Sequence, residues 1–214
     1  MIIIVGCNKG GAGKSTTAMN ITVALARRGA DVCLVDADQQ RSSAKWQADR
    51  EASNLLPAIT LIERRGSITS TLKALSEKYE YVIVDVAGRN SRELITGAAI
   101  ADIIIAPHQC SQLDLDTLGE LAVQLEMIRD LNPDLKVSVY HSMASTNPAL
   151  RASEREEFLK FMGDFPTFHP LESIGYYRKA YRDAIPRGIS VLEGPNANAA
   201  DDINNLVNEV FGHA

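Results

Sequence analysis

The residues best equipped for chemistry stand together near the start of the chain, as Lys9-Gly10-Gly11-Ala12-Gly13-Lys14-Ser15-Thr16. Glycines let backbone N–H groups turn towards one point, and a helix starting behind them adds the positive end of its dipole. Together these make a phosphate cradle. In such a loop Lys14 brings a mobile charge to the β- and γ-phosphates, and the Ser15 hydroxyl is placed to bind Mg²⁺. The segment therefore predicts binding of a nucleoside triphosphate by residues 9–16. One departure sharpens the reading. The common P-loop pattern has glycine five positions before Gly13, where this chain has Asn8, followed by a second lysine, Lys9. Two lysines supply more positive charge than one triphosphate site within one chain requires.

A cradle needs a strand before it and a helix after it. The apolar run at 2–5 and the helix-like stretch 14–28, closed by Gly29 where a C-cap glycine belongs, meet that need. Further strand-like runs fall at 32–35, 59–62, 81–84, 103–106, 137–140 and 167–169. Helix-like stretches lie at 42–51, 67–78, 92–100, 114–131 and 149–162. The strands are continuously apolar, so both faces of their sheet must be covered. The expected fold is α/β, a mostly parallel sheet with helices on each side. No repeat, low-complexity tract or linker interrupts the 214 residues, which predicts a single domain over 1–214.

Parallel sheets of this kind bind ligands beyond the carboxyl ends of their strands. Two segments put aspartates there, Leu34-Val35-Asp36-Ala37-Asp38-Gln39-Gln40 and Tyr81-Val82-Ile83-Val84-Asp85-Val86-Ala87-Gly88. An apolar strand ending in aspartate is a Walker B signature, which links Asp85 to Mg²⁺ through water.

On residues 9–16, 36–40 and 85–88 the chain resembles the ParA/MinD family of deviant Walker A ATPases, a group of P-loop NTPases. The resemblance extends from residue 2 to about 211 and is closest to the short plasmid-partition ParA proteins, which lack an N-terminal DNA-recognition domain. It implies that Lys9 crosses a dimer interface to the partner's nucleotide. It also implies that Asp38, with Lys9 and Lys14, serves hydrolysis, that Asp36 contacts Mg²⁺, and that Gly88 offers its N–H to the γ-phosphate. Relatives commonly have proline after the second aspartate; Gln39 stands here. At the adenine end, where many members have asparagine, this chain offers Ser142, or in its place Met143 and the Thr146-Asn147-Pro148 turn as walls for the base. Arg178, Lys179, Arg182 and Arg187, interleaved with Tyr176, Tyr177 and Tyr181, fall where ParA proteins bind DNA without sequence preference. On a helix Arg178 and Arg182 would share a face. The competing reading of that cluster is a solvated helix face paired with Asp183 and Glu172. The implied partners are a second copy with ATP, nonspecific DNA, and a centromere-binding adaptor that stimulates hydrolysis. The implied location is cytoplasmic and nucleoid-associated. Positioning of a protein cargo, or less directly a MinD-like membrane cycle, are the alternatives.

Composition limits these choices. The net charge of −5 confines any nucleic-acid contact to a local patch. Cys7, Cys33 and Cys110 have no paired spacing and read as reduced thiols, and no bridging cysteine pair is present for an iron–sulfur cluster. The terminus lacks the basic start of a secretion signal. The last helix, expected over 199–211, has one apolar stripe. Its polar face is Asp201, Asp202, Asn204, Asn205 and Glu209, whereas anionic lipid calls for basic residues. His108, His141, His169 and His213 show no ligand spacing, and Trp46 reads as a packing residue.

Overall fold

Seven strands form one sheet in the order β3-β2-β4-β1-β5-β6-β7, and every neighbouring pair is parallel. In this computed structural model the described residues are 1–88, 91–110 and 112–212, with only the backbone of 112–116. The strands are β1 (Ile2–Val5), β2 (Val32–Ala37), β3 (Thr60–Glu63), β4 (Tyr81–Val86), β5 (Ile103–His108), β6 (Lys136–Ala144) and β7 (His169–Tyr176). The helices are α1 (Lys14–Arg27), α2 (Ser42–Ala52), α3 (Thr69–Ser76), α4 (Arg92–Ala98), α5 (Gln112–Glu126), α6 (Pro148–Met162), α7 (Lys179–Ala184) and α8 (Ala197–Phe211). Among the described residues no helix is long and apolar enough to cross a membrane.

The continuous apolar strands have the two-sided burial that their composition implied. Ile3, Val5, Leu34, Ile83 and Ile105 face a layer that includes α1, Trp46 of α2, and Ile203, Leu206 and Val207 of α8. Ile4, Val35, Val84, Ile104 and Val139 face Leu72 of α3, Leu94 of α4, Leu118 and Leu121 of α5, and Phe158 of α6. Burying each large aliphatic side chain contributes about 1.5–3 kcal/mol, so these two layers supply the main drive for folding. The apolar stripe of α8 is thus closed against the sheet.

The strands run further at their carboxyl ends than the apolar runs indicated. β2 continues through Asp36 and β4 through Asp85, because both carboxylates are enclosed by the structure. The largest correction concerns β7, expected at 167–169 and found at His169–Tyr176. It is an edge strand with alternating exposure, interrupted by Pro170 and Gly175, so it has no continuous apolar run to read. Its free side meets α8. The Glu209 carboxylate accepts the N–H groups of Glu172 and Ser173 at 2.7 and 2.8 Å. α5 also stops earlier than expected, at Glu126.

Beyond α7 the chain folds back onto α2. Arg50, 1% exposed, donates to the Glu193 carboxylate at 2.8 and 2.9 Å and to the carbonyls of Pro57 and Gly188. Gly188 has φ +64°, and a Cβ there would overlap the Arg50 backbone, so position 188 admits only glycine without displacing α2.

Candidate nucleotide-binding site

The loop after β1 rises from a buried base. Gly11 and Gly13 take φ values of +73° and +89°, a region costly to residues with a Cβ. Gly13 precedes the first turn of α1, and its carbonyl accepts the Thr17 N–H at 2.8 Å. The backbone thus turns back on itself directly ahead of a helix N-terminus. Lys14 is buried, and its ammonium donates to the Lys9 carbonyl at 2.5 Å, folding across the loop. Lys9 itself is half-buried beside exposed Gly10 and Gly11. Partial burial lowers its pKa, and the nearby Cys7 acts in the opposite direction. Gly88 backs onto this loop. A Cβ built there would lie 3.6 Å from the Gly10 nitrogen, the Lys9 carbonyl carbon and the Lys14 ammonium.

Asp85 and Asp36 are aligned across neighbouring strands at the carboxyl edge of the sheet. Both side chains are fully buried. Burial pushes the Asp85 carboxyl up to about 7; hydrogen bonds from Ser43 and Ser15 pull it back, and the charges of Asp36 and Asp38 push it further up. Ser43 of α2 donates to Asp85 Oδ2 at 2.7 Å. Asp85 Oδ1 makes no hydrogen bond among the described residues. A buried carboxylate oxygen without a partner is costly. With the Ser15 hydroxyl beside it, this set of oxygen donors fits a hard divalent cation such as Mg²⁺.

Asp36, expected to reach Mg²⁺ through water, has both carboxylate oxygens in backbone hydrogen bonds. Its two oxygens accept the N–H of Asp38 at 3.1 Å and of Ala44 at 2.8 Å. Arg65 lies 3.5 Å from Oδ1. Burial raises its pKa, while those amides and Arg65 restrain the shift. In this arrangement Asp36 secures the turn into α2. Asp38 projects from that turn half-exposed and accepts the Gln40 N–H at 2.8 Å.

A cavity of about 270 Å³ opens beside the loop. Ala12, Gly13 and Thr16 line one side, and Met143, Tyr176 and Tyr177 line the other. Met143 sits at φ +55°, and Gln109 bridges it to the loop, with Nε2 2.9 Å from its sulfur and 3.5 Å from the Gly11 carbonyl. Ser142 also lines the cavity, and its hydroxyl donates to the Ala12 carbonyl at 3.0 Å and braces the loop. The turn at 146–148 does not line the cavity; Asn147 caps α6 by accepting the Ala149 N–H.

The basic cluster divides. Arg178 precedes α7 in extended conformation, so it shares no helix face with Arg182. Its guanidinium holds Asp202 of α8 at 2.7 and 3.0 Å and is largely covered. Lys179 is exposed and 3.6 Å from Asp183, while Arg182 and Arg187 are exposed. Sequence reasoning named the loop and Asp85 and passed over Ser43, Arg65 and Gln109, which the structure brings beside them. Only the strand order brings those residues to the site, and no local motif marks them.

His108 and His141 are register partners on β5 and β6, both 1% exposed. Burial lowers each to about 4, so both are neutral near pH 7; Lys9 adds to the shift at His108 and Arg155 at His141. Among the described residues no three His, Cys, Asp or Glu side chains gather as a metal cluster. His213 lies outside the described residues.

Comparison with known proteins matches this arrangement to one family. The family model for the ATPase MipZ matches residues 1–157. Protein ParA of Rhizobium radiobacter is 31% identical over 153 residues, 72% of this chain and 68% of that protein. The maintenance of carboxysome distribution protein A of Halothiobacillus neapolitanus is 29% identical over 209 residues, 95% of this chain and 93% of its own. In fold, the chain superimposes on the ATP complex of Cyanothece McdA(D38A) with a TM-score of 0.82 at 16% identity, covering 100% of this chain and 97% of that one. A glycine loop with two lysines, a buried strand-end aspartate and an all-parallel seven-stranded sheet thus occur together with these matches, and the chain belongs to the MipZ/ParA family of ATPases.

Proposed function

We propose that this chain is a ParA-type partition ATPase, one domain over 1–214. In this reading it dimerises with ATP, binds DNA without sequence preference, and hydrolyses ATP when an adaptor protein stimulates it. The observation that carries this reading is the division of labour between the two lysines. Lys14 is folded inward across the loop, whereas Lys9 is half-buried beside the exposed Gly10 and Gly11. An inward lysine serves the phosphates of its own site. In this reading Lys9, next to that exposed turn, serves a second copy closing face to face, where it would neutralise charge on the opposite triphosphate. In phosphoryl transfer a cation supplied in trans is worth roughly a thousandfold or more in rate.

Residues 9–16 and Gly88 would enclose the phosphates, and Ser15 with Asp85 would hold Mg²⁺. That cation, when bound, neutralises phosphate charge. Half-exposed Asp38, one oxygen of which accepts the Gln40 N–H, would orient a water, whereas Asp36 is tied to the α2 turn. Exposed Lys179, Arg182 and Arg187 are the candidate DNA contacts, and pairing two copies doubles them. Arg178 supports this patch from behind through Asp202. A cytoplasmic, nucleoid-associated protein follows from this scheme. The apolar stripe of α8 is packed against the sheet and its outer face is acidic, so it favours no lipid contact.

A second reading, positioning of a protein assembly instead of a plasmid, is favoured by the likeness over 95% of the chain to a carboxysome distribution protein. The two share one ATP cycle. They separate in vivo, where loss of the gene scatters either a plasmid or a protein assembly.

The test of the common mechanism is Lys9→Ala, examined by light scattering after gel filtration with Mg²⁺ and ATP. We expect the wild type to shift from monomer to dimer and the variant to bind ATP while remaining monomeric. Equal dimerisation of the two proteins would remove the trans role of Lys9.

A further inference from the structure

The turn that carries Asp38 follows β2, and Gly88 follows β4. The groups read above as orienting water and meeting the γ-phosphate therefore stand on separate loops. One segment bonds to the surroundings of both. Arg64-Arg65-Gly66 leaves β3, an edge strand of the sheet. On one side, the Asp36 carbonyl accepts the Arg64 N–H at 3.1 Å and also accepts from the Arg65 guanidinium, whose Nη2 lies 3.5 Å from Asp36 Oδ1. That same oxygen accepts the Asp38 N–H, so Arg65 and the Asp38 turn meet on a single carboxylate. On the other side, the Gly66 N–H donates to Glu93 Oε1 at 2.7 Å, and the Gly66 carbonyl accepts from the Thr96 hydroxyl at 3.4 Å. Glu93 Oε2 accepts from Ser91 at 3.3 Å, and Ser91 caps α4 three residues beyond Gly88. Gly66 holds φ +79°, a turn costly to any residue with a Cβ.

We propose that Arg65 is a positioning residue for ATP hydrolysis, holding the Asp38 turn in register with the start of α4 through the Asp36 carboxylate and the Gly66–Glu93 bond. This assignment rests on the ATPase reading above and adds what keeps its two phosphate-facing loops at a fixed spacing. Phosphoryl transfer depends mainly on positioning and charge stabilisation, and a misplacement of about 1 Å can cost about a hundredfold in rate. Asp38 is half-exposed, so its placement depends on the turn that carries it. A guanidinium is a rigid fork of donors, and here it spans the carbonyl and the carboxylate of one residue. It therefore fixes the orientation of Asp36, whereas an ammonium would supply charge without that geometry. Asp36 keeps its two amide hydrogen bonds when Arg65 is removed, so the buried carboxylate is not stranded. Loss of the guanidinium should then register in turnover before it registers in folding.

The test compares wild type, Arg65→Ala, Arg65→Lys, Glu93→Ala and the double variant Arg65→Ala/Glu93→Ala. Steady-state phosphate release with Mg²⁺ and ATP gives kcat and KM, and calorimetry gives ATP affinity. We expect kcat to fall about tenfold in Arg65→Ala while ATP affinity changes less than about twofold. Arg65→Lys, which keeps the charge without the fork, should remain about threefold slow or slower. Glu93→Ala should slow turnover in the same selective way, and the double variant should be little slower than the slower single variant, because either change opens the same brace. Unchanged kcat in Arg65→Ala overturns the proposal. So does a loss of ATP affinity in step with kcat, full recovery in Arg65→Lys, or strictly additive losses in the double variant. Should Arg65→Ala fail to fold, Arg65→Lys alone decides, and turnover equal to the wild type overturns the proposal. If the wild type itself releases no phosphate from ATP, the ATPase reading falls, an outcome distinct from any difference among the variants.

Discussion

At the scale of single residues, the site is governed by how each buried charge is matched. Ser43 bears on this directly, since its hydroxyl gives the larger of the two hydrogen bonds, with Ser15, that favour the ionised form of Asp85. Ser43→Ala should therefore raise the Asp85 pKa further above its present value of about 7. The variant should lose about 1–2 kcal/mol of stability at pH 8, where the carboxylate is ionised, and less at pH 6, as read from urea unfolding. An equal loss at both pH values would separate Ser43 from the ionisation of Asp85. This is also the scale at which sequence informs most unevenly. Lys9, Gly13 and Lys14 are legible because a contiguous loop carries its own chemistry. Ser43 and Gln109 are not, because their neighbours come from segments distant in the chain. Arg178 looks like a surface cation until Asp202, on another helix, is brought against it.

At the scale of elements, β5 and β6 carry a neutral histidine pair into the core. His141 stacks on Phe158 of α6 with ring centres 4.6 Å apart, and neither of its ring nitrogens has a hydrogen-bond partner among the described residues. Its folded pKa of about 4 lies below its ordinary value of 6.5. The unfolded chain therefore takes up the proton first. The stability contribution is complete above pH 6.5 and is lost as pH falls towards 4. His108 acts in the same direction, whereas Asp85, raised to about 7, acts in the opposite one across this range. Comparison of variants isolates the term. His141→Phe should lose about 2–3 kcal/mol less than the wild type between pH 7 and pH 4.5, measured by urea midpoints. Parallel pH profiles for the two proteins would show that His141 is protonated equally in the folded and unfolded states. The elements themselves were legible where burial is two-sided, as in β1 and β5. β7 was not, because an edge strand alternates and tolerates Pro170. α7 was hidden too, since its six residues are too few to display a period.

At the scale of the whole molecule, alternation of apolar runs with helical stretches declares a parallel sheet, but not the order of its strands. Nor does it declare that the segment after α7 returns to clasp α2. That return depends on Arg50, which is buried, paired with Glu193 and 5.6 Å from the centre of the Trp46 ring. Arg50→Leu should cost about 3–5 kcal/mol, because it strands a carboxylate and two carbonyls in the interior. A loss below about 1 kcal/mol in urea unfolding would mean that the clasp holds without its ion pair. One further property follows from the helix that lies along β7. By occupying consecutive amides of the outermost strand, the Glu209 carboxylate removes the template on which a foreign strand could extend the sheet. The opposite border, β3, is only four residues long, and Arg41 grips Glu63 at its end. With both borders unsuited to lateral growth, the sheet offers no open edge on which copies could stack strand by strand into a fibre.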